Sequence, residues 1–329
     1  MNYQAPRWLP GGNLQTIWPA LFARRFGAAA PRYRRERWDT PDADFVDIDW
    51  LDGAALATAA VARQQTLIVL FHGLEGSSAS HYAQAFADFA EVRGAAYAVA
   101  HFRGCSGELN RAPRAYHSGD FQEIDWILRR FRLVHAGPIV AVGVSLGGNA
   151  LMRWAGEMEA SAGRVVTAVA SVCAPLDLAA GGHAIGRGFN RLVYTRMFLN
   201  TMRPKALRKY AQHPGLFDRN ALLRARDLFE FDNIFTAPVH GFRDTEDYWR
   251  RASAKPHLTR IGVPALLVNA RNDPFVPAWS LPEPKDVASS VTLWQPDGGG
   301  HVGFVQGRVP GHLSAMPLAV GDWLLNHAL

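Results

Sequence analysis

A serine, an aspartate and a histidine occur in this chain in an order, and in settings, suited to acyl transfer. Ser145 is the centre of Gly143-Val144-Ser145-Leu146-Gly147, a G-x-S-x-G pentapeptide. An apolar run at 138–142 precedes it and a helix-like segment at 149–155 follows. Strand, pentapeptide and helix in that order read as a nucleophile elbow, whose sharp, strained turn lifts the hydroxyl clear of the sheet. Gly143 and Gly147 lack Cβ atoms, so strand and helix can approach closely. The N-terminus of the helix then favours negative charge beside the serine. Alone, the pentapeptide is also what a glycine-rich turn with an incidental serine looks like. The downstream residues separate the two readings, because Asp273 and His301 follow in the order Ser…Asp…His.

Asp273 comes just after the apolar run 266–269 and before Pro274. A carboxylate there can orient an imidazole and stabilise the imidazolium. The plainer reading is a turn aspartate before proline. His301 lies in the glycine-rich stretch 296–304, after the run 291–294, where a flexible loop can deliver it to Ser145 as general base. His183, His240, His257 and His312 lack that strand-end setting. His72 precedes the serine and lies on another loop, so it reads as a structural residue holding its loop by hydrogen bonds. The backbone N–H of Leu146, directly after the serine, and that of Leu74, in the loop after an earlier strand, are the expected oxyanion donors. The acids Asp244, Glu246 and Asp247 lack strand-end placement and read as structural or surface residues.

These side chains need a scaffold of alternating strands and helices. Continuous apolar runs at 66–71, 95–100, 138–143, 165–172, 263–269 and 291–294 read as strands, the first of them buried on both faces. Segments 81–93, 121–134 and 313–327 read as helices, with Phe121, Ile124, Ile127, Leu128 and Phe131 at helical spacing and Asp120 as the expected cap. The run 45–50 alternates apolar and acidic residues, the period of a half-buried strand, and pairs with 37–40 as a hairpin. The expected fold class is α/β, a mostly parallel central sheet flanked by helices. Strand alternation stops at about 176 and resumes near 263. The expected domains are an N-terminal arm at 1–35 packed on the core, a core at 36–175 and 258–329, and a helical cap at 176–257. The arm holds Trp8, Trp18 and the turn Pro10-Gly11-Gly12, and its large aromatics call for burial.

Composition is that of an ordinary globular chain: 329 residues, 48% hydrophobic and 19% charged. Two cysteines do not make a disulfide framework. No apolar run approaches the ~20 residues of a membrane span, and the first residues lack the pattern of a secretory signal, so a cytoplasmic location is expected. The net charge is +6, with basic clusters at 32–37, 129–132 and 203–209. These read first as solvated surface and second as attraction to anionic lipid or acidic substrates, which leaves peripheral membrane contact open. No nucleic-acid motif accompanies the charge. No phosphate-binding motif or paired zinc spacing occurs, so neither cofactor nor metal is expected.

Several further runs resemble the YheT-like branch of the α/β-hydrolase superfamily. They are Asn13-Leu14-Gln15-Thr16, His72-Gly73-Leu74-Glu75-Gly76, His101-Phe102-Arg103-Gly104-Cys105-Ser106-Gly107 and Tyr116-His117-Ser118-Gly119, with the elbow. Phe231-Asp232, Thr236-Ala237, His240-Gly241-Phe242 and Gly299-Gly300-His301-Val302-Gly303-Phe304 fit the same pattern. The chain departs from it at Asn13, where the family often has histidine. The resemblance implies an α/β-hydrolase fold with a helical cap and a serine esterase acting on a small-molecule ester or lipid-like substrate. An acyltransferase would use the same three residues with another acceptor, and a binding protein would keep the pocket without the chemistry. Dehalogenases and epoxide hydrolases are disfavoured, because they normally place aspartate where Ser145 stands.

Overall fold

A computed structural model of the chain describes residues 2–52 and 65–328. The apolar runs assemble into one eight-stranded sheet, ordered β1-β2-β4-β3-β5-β6-β7-β8. The strands are β1 Arg32–Asp39, β2 Phe45–Asp52, β3 Leu67–Phe71, β4 Ala96–Ala100, β5 Ile139–Val144, β6 Ala168–Val172, β7 Ala265–Val268 and β8 Val291–Trp294. The β1–β2 hairpin and its junction with β4 are antiparallel. From β4 onward every pairing is parallel.

The central strands are buried on both faces, and strand alternation divides their side chains between two cores. Leu67, Val69 and Phe71 of β3 pack with Ile139 and Ala141 of β5 on one face. Helices α3 (Phe121–Val134) and α4 (Leu146–Met158) cover that face through Ile124, Ile127, Phe131, Leu151 and Trp154. Ile68 and Leu70 pack on the other face with Val140 and Val142, under α2 (His81–Arg93) and the last helix, α8 (Ala315–Asn326). Met316, Val320 and Leu324 recur every four residues on α8, which gives it one core-facing stripe. Each fully buried large apolar side chain contributes about 1.5–3 kcal/mol, so both faces hold the sheet rigidly beneath the strand ends.

Between β6 and β7 the described elements are helices and turns, led by α5 (Leu178–Ile185), α6 (Arg196–Gln212) and α7 (Thr245–Ala252). This region has its own apolar cluster, including Leu199, Leu222, Phe231 and Phe235. Asp244 accepts from the Asp247 N–H and caps α7, and Asp247 pairs with Arg250 and Arg251. Both serve structure, as expected.

Two local expectations are corrected. Asp120 stands at the start of α3 but makes no side-chain cap; its carboxylate turns to Arg114 instead. An arginine partner outcompetes a neutral N–H. The hairpin strand β2 is not half-buried either, because Phe45 to Ile48 and Asp49 are all buried. Its acids are covered by arginines and by the loop after β4. Arg37 forks onto Asp47 at 2.8 and 2.9 Å, and Arg35 forks onto Asp49 at 2.7 and 2.9 Å. Asp49 also receives Ser78 and His101. Two members of the basic cluster at 32–37 are therefore ion-pair partners rather than free surface charge.

Candidate active site

β5 ends at Val144 and α4 begins at Leu146, so the chain reverses direction at one residue. Ser145 takes φ 53° and ψ −118° there, a conformation that costs an ordinary side chain on the order of 1–3 kcal/mol. Hydrogen bonds hold it. The Ser145 N–H donates to the Val172 carbonyl at 2.8 Å, and the Ser145 carbonyl accepts from Gly148 and Asn149 at 3.0 and 3.1 Å. The turn also requires Gly147, where a Cβ would lie 2.4 Å from the Phe71 carbonyl oxygen.

The Ser145 Oγ lies 2.9 Å from His301 Nε2. His301 Nδ1 lies 2.9 Å from Asp273 Oδ2. A carboxylate only accepts, so Nδ1 carries the proton and Nε2 is free to accept from the serine. The second oxygen of Asp273 accepts from the Phe275 and Val276 N–H groups at 2.7 and 3.3 Å, which fixes the carboxylate plane. The Asp273 side chain is fully buried, whereas that of His301 is 10% exposed. The ring of Phe275 lies against the imidazole at 4.2 Å. Three residues from three separate strand ends are thus joined in one hydrogen-bonded chain.

The loop after β3 passes beside the serine. A Cβ on Gly73 would sit 3.2 Å from the Ser145 Cβ. His72 anchors this loop: Nδ1–H donates to the Gly73 carbonyl at 2.8 Å, and Nε2 accepts from the Phe102 N–H at 3.0 Å. Burial lowers its pKa to about 3, so it stays neutral in that tautomer. Tyr82 OH accepts from Gly73 N–H and Tyr116 OH from Glu75 N–H. Between them, the Leu74 N–H has no acceptor among the described residues, and neither does that of Leu146. Two unsatisfied donors beside a serine hydroxyl form the kind of cradle that binds a developing oxyanion.

The elements that hold His301 include one that sequence patterning does not reveal. The N-terminal arm forms α1 (Gly12–Leu21), and its side chains brace the histidine loop. Thr16 Oγ1 accepts from the His301 N–H at 2.8 Å and donates to the Gly12 carbonyl at 2.7 Å. Gln15 Oε1 accepts from Gly299 N–H at 2.8 Å and Asn272 Nδ2 at 2.9 Å, while Asn272 Oδ1 accepts from Gly300 N–H at 3.0 Å. The indoles of Trp8 and Trp18 donate to the carbonyls of Gly307 and Pro310. Asn13 accepts from Tyr194 OH at 2.9 Å, which ties the arm to the helical region. The signals in the arm were its turn formers and tryptophans, but its partners lie some 285 residues away.

Cys173 stands beside Asp273 and His301. Its ligating atom and theirs lie within 4.8 Å of one another, three donor types that a metal can use. Burial pushes the thiol well above its usual pKa, with the Asp273 charge adding to the shift. Metals bind thiolates, and Nδ1 of His301 is committed to Asp273, so this donor set suits a hydrogen-bonded cluster better than a cation. The Cys173 sulfur instead accepts from the Val302 N–H at 3.3 Å.

A largely apolar pocket opens beside Ser145 under the helical region, lined by Leu178, Ile185, Phe198, Leu228, Phe231 and Phe275 among others.

Residues 66–308 match the family model described as alpha/beta hydrolase fold. The chain is 39% identical over 321 residues to the protein named "Putative esterase YheT" of Escherichia coli (strain K12), covering 96% of this chain and 90% of that protein. It is 29% identical over 285 residues to phospholipase ABHD3 of Mus musculus, covering 85% and 68%. Among solved structures, the esterase Pf2001 of Pyrococcus furiosus superposes with a TM-score of 0.55 at 15% identity, covering 94% of this chain and 98% of that one. At that identity the likeness concerns the fold alone.

Proposed function

This chain belongs to the alpha/beta hydrolase fold family, in its YheT-like branch, and on that premise we propose that it is a serine hydrolase of carboxylic esters. The observation that carries the reading is the chain of two 2.9 Å hydrogen bonds from Ser145 through His301 to Asp273. In this mechanism His301 Nε2 takes the Ser145 proton as Oγ attacks the ester carbonyl. The N–H groups of Leu74 and Leu146 receive the oxyanion, and each such donor contributes about 2.7–4 kcal/mol to the transition state. His301 then protonates the departing alcohol. Water, deprotonated by the same imidazole, releases the acid from the acyl-enzyme. Asp273 holds the tautomer and stabilises the imidazolium.

The helical region at 176–257 acts as a cap that excludes water and shapes the acyl or alcohol pocket. The apolar lining supports ester and lipid-like substrates. The outer face of the cap supports contact with a lipid surface, because Phe189, Leu192 and Met197 are exposed there beside Arg187, Arg191 and Arg196. Among the described residues no helix is long and apolar enough to cross a membrane.

The test is labelling with a fluorophosphonate followed by intact-mass detection. One adduct is expected on the wild-type chain and none on a folded Ser145→Ala variant, which also loses ester turnover. Ester turnover that persists in Ser145→Ala would sink the mechanism.

A further inference from the structure

Five charged side chains reach the pocket beside Ser145: Glu75, Arg103, Lys205, Lys209 and Asp232. Three of them form ion pairs. Glu75 and Lys205 pair with each other at 2.8 Å. Arg103 pairs with Asp42, Asp44 and Glu123. Lys209 Nζ donates to the carbonyls of Asn110 and Ala112. Asp232, like Lys209, forms no ion pair among the described residues, but its partners are side chains rather than backbone carbonyls. Its Oδ1 accepts from Thr236 Oγ1 at 2.6 Å and its Oδ2 from Trp249 Nε1 at 2.9 Å.

Both of those donors also line the pocket, so they hold the carboxylate at its wall. Each oxygen keeps a further lone-pair site. Two neutral donors require only neutral acceptors, and a single amide oxygen supplies two lone pairs without burying a charge. A carboxylate among Leu228, Phe231 and Phe235 is therefore a costly way to serve structure alone. Its cost is visible, because burial pushes its pKa up to about 6, against the pull of both hydrogen bonds. Asp232 also opens a π-helical turn, Asp232–Thr236, a distortion that recurs at functional sites.

We propose that Asp232 is a specificity-determining residue that receives a hydrogen-bond donor, hydroxyl or ammonium, carried by the part of the substrate that fills the pocket. The site then takes esters whose apolar moiety bears one such donor and rejects those bearing an anion. This rests on the esterase reading of Ser145, but it concerns binding and is tested by binding.

The probes are p-nitrophenyl esters of hexanoate, hydroxyhexanoate, aminohexanoate and the adipate monoester, together with butyrate esters of hexanol, hexanediol and aminohexanol. Their dissociation constants are measured by calorimetry on Ser145→Ala, with and without Asp232→Asn, and their turnover on the wild type. The hydroxyl or amino member is expected to bind about tenfold or more tighter than its parent, and the adipate member to bind more weakly than hexanoate. Asp232→Asn should bring these ratios to within about twofold. The hydroxyl and amino arms show which donor the pocket takes. Equal affinities across the parent and donor-bearing esters overturn the proposal, as does a preference that survives Asp232→Asn. If the Asn variant does not fold, the affinity ratio of the donor-bearing esters to their parents on the unaltered pocket decides. Absence of turnover of every ester by the wild type would remove the hydrolase reading while leaving the affinity comparison to judge Asp232.

Discussion

Both oxygens of Asp273 are engaged, one by His301 and the other by two backbone N–H groups. An asparagine there keeps the shape but brings an NH2 group into the cluster. Either that group faces Nδ1 of His301, which then presents its proton to Ser145 rather than a lone pair, or it faces the Phe275 and Val276 donors and disorders the turn. Asp273→Asn is therefore expected to lower kcat on the order of 10⁴-fold while the protein stays folded. Steady-state ester hydrolysis and the rate of fluorophosphonate labelling check this, and near-normal labelling would remove Asp273 from its proposed role. At this scale the sequence was informative for a physical reason. In a parallel sheet the residues just past the strand ends gather at one edge, so a serine, a carboxylate and a histidine each following an apolar run are candidates for one site. The same logic passed over His183, His240, His257 and His312, and the structure joins His301 to Ser145. His72 likewise holds its loop and does not reach the serine hydroxyl.

Among the elements, α1 was the least legible. Its sequence shows turn formers and tryptophans that call for burial, but nothing in its period says that Gln15 and Thr16 grip the loop of His301. Removing the Thr16 hydroxyl leaves the His301 N–H without its acceptor and frees the loop to shift. Thr16→Val is expected to lower kcat by roughly 10- to 100-fold, since a displacement of about an ångström in a reacting group costs that much, with little change in KM. Thr16→Ser should restore the rate. Steady-state kinetics alongside thermal melting test it. If KM rises while kcat holds, or Thr16→Ser fails to rescue, the arm matters for folding or for substrate entry rather than for placing the imidazole. The central strands were legible because they are continuous apolar runs. β1 extends beyond the stretch read as strand because its ladder partner, rather than its own pattern, sets where it begins: Arg32 pairs with Asp52.

The whole molecule has a charge pattern that its net +6 conceals. Asp44, just before β2, and Asp47 and Asp49 within it are buried. Burial opposes their ionisation. Hydrogen bonds from Asn110, the Arg111 N–H and Arg103 to Asp44, from Arg37 and Ser106 to Asp47, and from Arg35, His101 and Ser78 to Asp49 outweigh it, so all three stay below the usual carboxylate range. With folded pKa values below the unfolded value of about 3.9, the unfolded chain takes up protons first. Their stabilisation is therefore complete at neutral pH, declines as pH falls through about 4, and is lost as pH passes the folded values. Urea unfolding midpoints followed from neutral pH downward should show that decline. Asp49→Asn should cost about 1–3 kcal/mol at neutral pH, because it removes the charge that Arg35 pairs with and leaves part of the Ser78 and His101 hydrogen bonding unmatched, and should flatten the acid limb. An unchanged limb in that variant would place the acid sensitivity elsewhere.

The sequence by itself determined the parallel sheet, the glycine-flanked turn at Ser145 and the placing of Asp273 and His301 past strand ends. Each depends on a local pattern: an apolar run, a turn that glycine permits, or a reactive residue just past a strand. Tertiary structure alone decided what stands around them. The brace from Gln15 and Thr16, the burial of the β2 acids under arginines, the turn of Asp120 toward Arg114 and the placing of Asp232 at the pocket wall all join side chains whose contacts have no sequence period. Polar partners meet through folding of the whole chain, and a side chain's short-range neighbours do not encode which distant donor will reach it.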